Sequence, residues 1–174
     1  MRAALPWRGD HAPGSQLTVF FRSFAALTVF ASCAAEAQQA VRCWGLDSVG
    51  QCQVPAGLGE VSQIAAGGSH TVALRNDGTV VCWTEGGWGQ CVVPTNLLPV
   101  TQVAAGWLHT AVVQVNGSVR CWGWNSNGEC NAPAGLPPIL QVDGGHGFTV
   151  ARTNVGTVRA WGRNDSGQCN VPAG

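Results

Sequence analysis

Charge is scarce in this sequence of 174 residues. Only 10% of the residues are charged, against about 25% in an ordinary globular protein. Lys is absent, so all nine basic residues are Arg, and nine acidic residues bring the formal net charge to zero. A neutral chain has no electrostatic footprint for DNA, RNA or an anionic membrane surface, so we expect neither a nucleic acid nor a membrane as partner.

Tyr and a helical pattern of apolar residues are also missing. Outside the N-terminal leader, no segment repeats its apolar residues at the spacing of an amphipathic helix. The chain instead contains 24 Gly and 8 Trp. Frequent Gly together with many β-branched and aromatic residues indicates short strands joined by tight turns.

The N-terminal segment has the features of a secretory leader. Three Arg precede or interrupt an apolar stretch that ends in "FAALTVFASCAA", Phe24 to Ala35, and "AEA" at 35–37 fits a small-x-small cleavage site. We therefore predict a leader at 1–37 and a secreted or extracytoplasmic mature chain from Gln38. The alternatives are an uncleaved membrane anchor and lipid attachment at Cys33.

A 39-residue period dominates the rest of the chain. It relates Trp, Gly, Cys and Pro residues in four successive copies, and such a period is the signature of a repeat architecture. The series are Trp44, Trp83, Trp122 and Trp161; Gly50, Gly89, Gly128 and Gly167; Cys52, Cys91, Cys130 and Cys169; and Pro55, Pro94, Pro133 and Pro172.

Each unit has the pattern of a β-meander. The stretch Val61 to Trp83 contains "QIAAG", "HTVAL" and "TVVCW", with the turn "RNDG" before the last of them. We predict three or four short antiparallel strands per unit. A small sheet cannot bury both faces alone, so the units should stack on one another.

The segments "IAAGGSHTVALRNDGTVVCWTEGGWGQC" and "VAAGWLHTAVVQVNGSVRCWGWNSNGEC" resemble the repeat named after the regulator of chromosome condensation, most closely in its short-unit bacterial and secreted forms. The resemblance covers residues 41–174 and implies a β-propeller. Members of that family are interaction scaffolds that hold protein partners with their blade-edge loops. One eukaryotic member is an exchange factor for a small GTPase, and a secreted bacterial relative clamps β-lactamases. Packing residues alone assign neither activity to this chain.

The number of units predicts an incomplete propeller. Residues 38–174 contain a half unit at 41–57 and full units at 58–96, 97–135 and 136–174, about three and a half in all. Propellers close with about 4–8 blades. We expect the chain to be a fragment or remnant of a longer propeller, or else an open arc that self-associates to complete one.

Six cysteines are candidates for disulfides within the units. Their C-x8-C spacing fits neither a zinc knuckle nor a C-x-x-C redox loop, whereas strand residues beside one connection can reach bonding distance. The alternative is that Cys is a small buried filler next to Trp. Ala160 replaces the first cysteine of the last copy and leaves Cys169 odd. The candidate pairs are Cys43 and Cys52, Cys82 and Cys91, and Cys121 and Cys130.

Residues that depart from the period are the candidates for binding. The periodic Trp residues fit the packing between units, or alternatively a ring that stacks on carbohydrate. Trp88, Trp107 and Trp124 are not required by the repeat, and exposed Trp is common in binding hot spots. Glu129 stands where the other units have Gln. We predict that these four residues take part in binding, with structural roles as the alternative.

No residues form a catalytic or metal-binding pattern. His70 and His109 share a repeat position with Phe148, which indicates packing, and the acidic residues are scattered at turns. We therefore predict a non-enzymatic protein-interaction module without cofactor or metal. The alternatives are an inhibitor of a secreted enzyme such as a β-lactamase, and a carbohydrate-binding propeller.

Overall fold

The computed structural model describes residues 17–18, 30–32, 40–84 and 86–172. This part of the chain forms twelve β-strands and no helix. The strands are β1 (Leu17–Thr18), β2 (Phe30–Ser32), β3 (Ala40–Arg42), β4 (Val61–Ala66), β5 (Thr71–Arg75), β6 (Val80–Trp83), β7 (Val100–Ala105), β8 (His109–Gln114), β9 (Val119–Gly123), β10 (Ile139–Gly144), β11 (Phe148–Thr153) and β12 (Val158–Gly162).

Every three consecutive strands form one antiparallel meander. We number these sheet 1 (β1–β3), sheet 2 (β4–β6), sheet 3 (β7–β9) and sheet 4 (β10–β12). The first strand of each of sheets 2, 3 and 4 has an irregularity of register at the same repeat position. The prediction of an all-β array of short meanders is thus confirmed.

The turn before the third strand explains one of the periodic glycines. Gly78 has a φ of 82°, a left-handed conformation that Gly adopts without steric cost. Its N–H donates to Arg75 O at 3.0 Å, and the Asp77 carboxylate accepts the N–H of Thr79 at 2.9 Å. Gly117 and Gly156 repeat this conformation, so the predicted hairpin turns are present in sheets 2, 3 and 4.

Consecutive sheets stack face to face and bury an apolar core between them. We call the face toward the following sheet the forward face and the opposite one the rear face. Trp83, Trp122 and Trp161 lie on rear faces with exposures of 7%, 9% and 6%, which confirms their predicted packing role, whereas Trp44 is 40% exposed. The core between sheets 2 and 3 contains Ala65, Val72, Leu74, Val100, Val103, Ala105, Val112 and Trp122.

Buried polar groups join the sheets at a repeated position. Trp122 Nε1 and Thr110 Oγ1 both donate to the carbonyl oxygen of Gln90, at 2.9 and 2.8 Å. Both bonds cross from sheet 3 to the segment that follows sheet 2, so one backbone carbonyl satisfies two buried donors. The same pair of bonds joins Trp83 and Thr71 to Gln51 O, and Trp161 and Thr149 to Glu129 O.

A glutamine side chain makes a second kind of joint. Gln102 Nε2 donates to Val142 O at 2.9 Å, and Val142 N–H donates to Gln102 Oε1 at 2.8 Å. Gln63 makes the same two bonds to Val103. The amide thereby pairs with the N–H and C=O of the first strand of the next sheet, which would otherwise lie on an open strand edge.

The predicted leader, residues 1–37, lies outside the described residues except for the backbones of β1 and β2. These two strands pair with each other and then with β3. The half unit at 41–57 therefore contributes its first residues to the last strand of sheet 1. Val41 and Val54 of this half unit pack against the core on the rear face of sheet 2.

Candidate functional site

One end of the stacked sheets carries most of the residues that depart from the repeat. In a three-stranded meander the first and third strands run in the same direction, so the loop after the first and the segment after the third lie at one end. Trp124 N–H donates to Leu108 O at 2.9 Å, and Arg163 N–H donates to Gly147 O at 2.7 Å, which holds these segments together. We call this the loop end, and the hairpin turns occupy the opposite end.

Trp88 and Trp124 form an aromatic pair at the loop end. Their ring centroids lie 4.5 Å apart with the planes perpendicular, the edge-to-face arrangement that ring quadrupoles favour. The pair remains open to solvent, because Trp88 is 52% and Trp124 36% exposed. Two candidate residues from the segments after sheets 2 and 3 are thus brought into contact.

Trp107 joins a second group of side chains at the same end. It is 49% exposed, and its ring centroid lies 5.2 Å from that of His146 at an interplanar angle of 44°. His146 Nδ1 lies 3.2 Å from Arg163 Nη1, and Arg163 pairs with Asp165 at 2.5 Å. Sequence reasoning missed His146, Arg163 and Asp165 as site residues. The available signal was that His146 shares the repeat position of Trp107, and Arg163 that of Trp124.

The ion pair in this group is a solvent-exposed one. The Asp165 carboxylate raises the pKa of Arg163 by hydrogen bonding and charge, and Arg163 in turn lowers the pKa of Asp165. Exposed pairs add little to stability. They do orient a guanidinium and a carboxylate at the surface, next to the imidazole of His146, where a partner can reach them.

Glu129 does not lie with the three Trp residues on this surface. Its side chain is 1% exposed, its Oε2 accepts the N–H of Asn127 at 2.8 Å, and Oε1 has no hydrogen-bond partner among the described residues. Gln51 makes the equivalent bond to the N–H of Val49. Gln168 closes a turn in the same way by accepting the N–H of Ser166, whereas Gln90 Oε1 has no partner among the described residues and Gln90 Nε2 donates to Ser69.

The two repeated histidines are buried parts of the joints between sheets. His70 is 0% and His109 1% exposed, in agreement with the packing interpretation. His70 Nε2 lies 2.9 Å from Thr110 Oγ1, and His109 Nε2 lies 3.1 Å from Thr149 Oγ1. Burial, followed by the charge of His109, lowers the pKa of His70 to about 4. Burial also lowers the pKa of His109.

Three disulfides brace the segments after sheets 1, 2 and 3. Cys43–Cys52, Cys82–Cys91 and Cys121–Cys130 have Cα–Cα distances of 5.0, 5.0 and 4.9 Å, within the usual range. These are the pairs predicted from the spacing. Cys169 is a free thiol, and partial burial raises its pKa.

Neither a metal centre nor a membrane helix is found in the described part of the chain. Its His, Cys, Asp and Glu side chains form no group of three that could hold a metal ion. None of its segments is a helix with the length and apolarity needed to cross a bilayer.

Comparison with known families explains the repeat. The family described as Regulator of chromosome condensation (RCC1) repeat matches residues 61–83, 100–129 and 139–168. These stretches begin with the first strands of sheets 2, 3 and 4 and end at Trp83, Glu129 and Gln168, respectively. The chain contains three RCC1 repeats. The resemblance seen in the sequence is thereby confirmed.

Solved structures show the same fold as this RCC1 repeat chain. Prp20p from Saccharomyces cerevisiae is similar with a TM-score of 0.69 at 20% identity, over 85% of this chain and 46% of that one. The CRINKLY WD40 ectodomain of the Arabidopsis thaliana receptor kinase ACR4 gives 0.65 at 22%, over 78% and 47%. Human WBSCR16 gives 0.66 at 21%, over 80% and 45%. The prediction of a β-propeller-type repeat array is confirmed.

The RCC1 repeat chain spans about half the length of these structures. No curated protein sequence matches it. At such low identities the likeness shows the fold alone. The loop-end residues of this chain therefore have to be interpreted from their own chemistry.

Proposed function

We propose that this RCC1 repeat chain is a non-enzymatic, secreted or surface-located module that binds a protein partner through its loop end. The observation that carries the proposal is the clustering of exposed rings there. Trp88 pairs with Trp124, and Trp107 contacts His146. The four side chains come from positions that the repeat leaves free to vary.

The composition of the loop end is that of a protein-binding surface. Trp and Arg are enriched in the small groups of residues that dominate binding energy. Exposed Trp on a folded surface leaves apolar area in water, which a partner can cover. Arg163 and Asp165 flank the rings with fixed charges that would select a partner by complementarity.

The location rests on the cysteines. Disulfides persist in oxidising compartments and are rare in the cytosol, and six of the seven described cysteines are paired. Together with the leader predicted at residues 1–37, this supports export of the chain and a mature part consisting of the repeats. Residues 41–57 and the three full units then form the exported module.

Related structures support a protein as the class of partner. Prp20p binds Gsp1p and histones, and yeast RCC1 (Prp20) has been solved bound to Kap60. We extend only the class of ligand to this chain. An inhibitor of a secreted enzyme such as a β-lactamase is the narrower form of the same proposal, and a carbohydrate ligand is its competitor.

The test compares the two ends of the sheets. Purified full-length chain, immobilised and exposed to native extracellular medium and to a glycan array, is expected to retain a protein and no glycan. The variant Trp88→Ala/Trp124→Ala should retain at least about tenfold less of it, the loss of one hot spot. The matched control is Val115→Ala/Val155→Ala, which alters exposed apolar residues at the hairpin end.

The outcomes separate the candidates. Binding to glycans that is lost in the Trp variant would replace a protein ligand with a carbohydrate. Equal losses in both variants would show that the loop end is not the binding surface. Inhibition of a purified β-lactamase by the parent chain alone would establish the inhibitor form.

A further inference from the structure

The forward face of sheet 4 differs from those of sheets 2 and 3. In the two earlier sheets five positions on this face are apolar or Cys and pack on the next sheet. They are Ala65, Val72, Leu74, Val80 and Cys82 in sheet 2, and Ala104, Ala111, Val113, Val119 and Cys121 in sheet 3. The same repeat positions in sheet 4 hold Asp143, Val150, Arg152, Val158 and Ala160. The face has gained one acid and one base.

The strand register gives this face a defined charge pattern. Asp143 lies opposite Val150, and Arg152 lies opposite both Gln141 and Val158. Paired residues point to the same face, so the acid and the base occupy neighbouring rows on a diagonal, with Cα atoms about 7–8 Å apart. Both are exposed, and the only ion pair among the described residues is Arg163–Asp165.

A covering sheet of the kind found elsewhere in the molecule does not suit this face. The rear faces that cover sheets 2 and 3 present apolar residues such as Val103 and Trp122, or Val142 and Trp161. Placed on Asp143, such a face would bury a charge without a partner, which costs several kcal/mol. A head-to-tail contact with a rear face of this apolar kind carries this penalty.

We propose that the forward face of sheet 4 binds the same face of a second copy of the chain around a two-fold axis. In such a contact every residue pair occurs twice with the roles exchanged. The diagonal of Asp143 and Arg152 is self-complementary under this operation. The carboxylate of each copy meets the guanidinium of the other on both sides of the axis, and Val150 lies near the axis between them.

Gln141 supports this assignment. Its equivalents Gln63 and Gln102 bond to the backbone of the following sheet, whereas the side chain of Gln141 is exposed and makes no hydrogen bond to the described residues. It lies in the row of Arg152 and offers one donor group and one acceptor to the facing copy. The two-fold contact thus provides partners for all three polar side chains of the face.

The size of the face predicts a weak dimer. Three strands of about five residues give roughly 15 by 17 Å, so the contact buries less than the ~1,200 Å² found in stable complexes. We expect a dissociation constant in the high micromolar range. Raising the salt concentration should weaken the dimer, because its two ion pairs lie near the solvent.

The proposal is tested by exchanging the charges of the face and measuring the dimer by sedimentation equilibrium of the full chain. The protein concentration runs from roughly 10 µM to 1 mM, the range in which weak complexes form. Asp143→Arg and Arg152→Asp should each weaken the dimer at least tenfold, and the double variant should restore it. Asp143→Asn should also weaken it, although Asn keeps the bond that Asp143 Oδ1 accepts from Gly144 N–H. Arg159→Asp, on the rear face of the same sheet, is the control and should leave the dimer unchanged.

Four results would overturn the proposal. The first is a chain that stays monomeric over the whole range. The second is a dimer that the double variant fails to restore while its circular dichroism remains native. The third is a series of species larger than a dimer, which indicates head-to-tail assembly. Dimerisation that does not respond to salt would likewise contradict the two ion pairs.

Discussion

The joints between sheets are built from residues that repeat, whereas the loop end is built from residues that do not. At the joints the same groups recur every 39 residues, as in the bond from Trp122 to Gln90 O and that from Trp161 to Glu129 O. At the loop end one repeat position holds Trp107 in one unit and His146 in the next, and these two rings touch. The repeated residues therefore build the array, whereas the residues that depart from the repeat provide the surface that distinguishes it.

Removing a Trp ring should give the largest difference in stability between the joints and the loop end. Trp122→Ala deletes a buried indole and its hydrogen bond, and we expect a loss of about 3–5 kcal/mol in the free energy of unfolding. Trp88→Ala removes a ring that is half exposed and should cost less than about 1 kcal/mol. Urea denaturation followed by circular dichroism measures both. Similar losses for the two variants would show that the loop end is also structural.

Acid should weaken the joints between sheets. The pKa of His70 is about 4 in the folded chain and 6.5 as a model value, so between these pH values the unfolded chain binds a proton that the folded chain does not. Stability is therefore full above pH 6.5 and falls as the pH decreases, by about 3 kcal/mol at pH 4.

The variant His70→Phe isolates this contribution, because Phe148 occupies the same repeat position in sheet 4. Denaturation curves of parent and variant between pH 7 and pH 4 should converge as the pH falls. Parallel curves would show that His70 does not carry the acid sensitivity. His109, the neighbouring imidazole, is present in both proteins, and it enters the difference only through its charge interaction with His70.

The smallest effect compares two glutamines at one repeat position. Gln102→Ala removes two hydrogen bonds to Val142 and should cost about 1–2 kcal/mol. Gln141→Ala removes an exposed side chain and should change the stability of the monomer by less than about 0.5 kcal/mol. Thermal and urea unfolding at low protein concentration provide the measurement. Equal costs would mean that the amide stabilises its own sheet and not the joint.

The 39-residue period predicted the strands, the buried Trp and the cysteine pairs because all of these depend on contacts that every unit makes alike. The Gln joint also had a sequence signal, since Gln63, Gln102 and Gln141 are in register. A polar residue within a strand does not reveal which neighbour it bonds, so its role required coordinates.

The loop-end group could be predicted only in part for a different reason. Trp107, His146 and Arg163 meet through the stacking of two sheets, and the period alone does not give the distance between non-periodic side chains. Glu129 was predicted to take part in binding because it departs from the Gln of the other units, and its burial could not be seen in the sequence. Both side chains offer an oxygen to the same turn N–H, so the change leaves the turn intact.

The bonds to the carbonyl oxygens of Gln51, Gln90 and Glu129 also indicate an order in which the units can fold. In every joint the accepting carbonyl comes first in the chain, 20 residues before the Thr donor and 32 before the Trp donor. Domains generally fold from the N-terminus during synthesis. Each unit that leaves the ribosome therefore meets an acceptor that already exists, and the array can grow by accretion, one unit at a time.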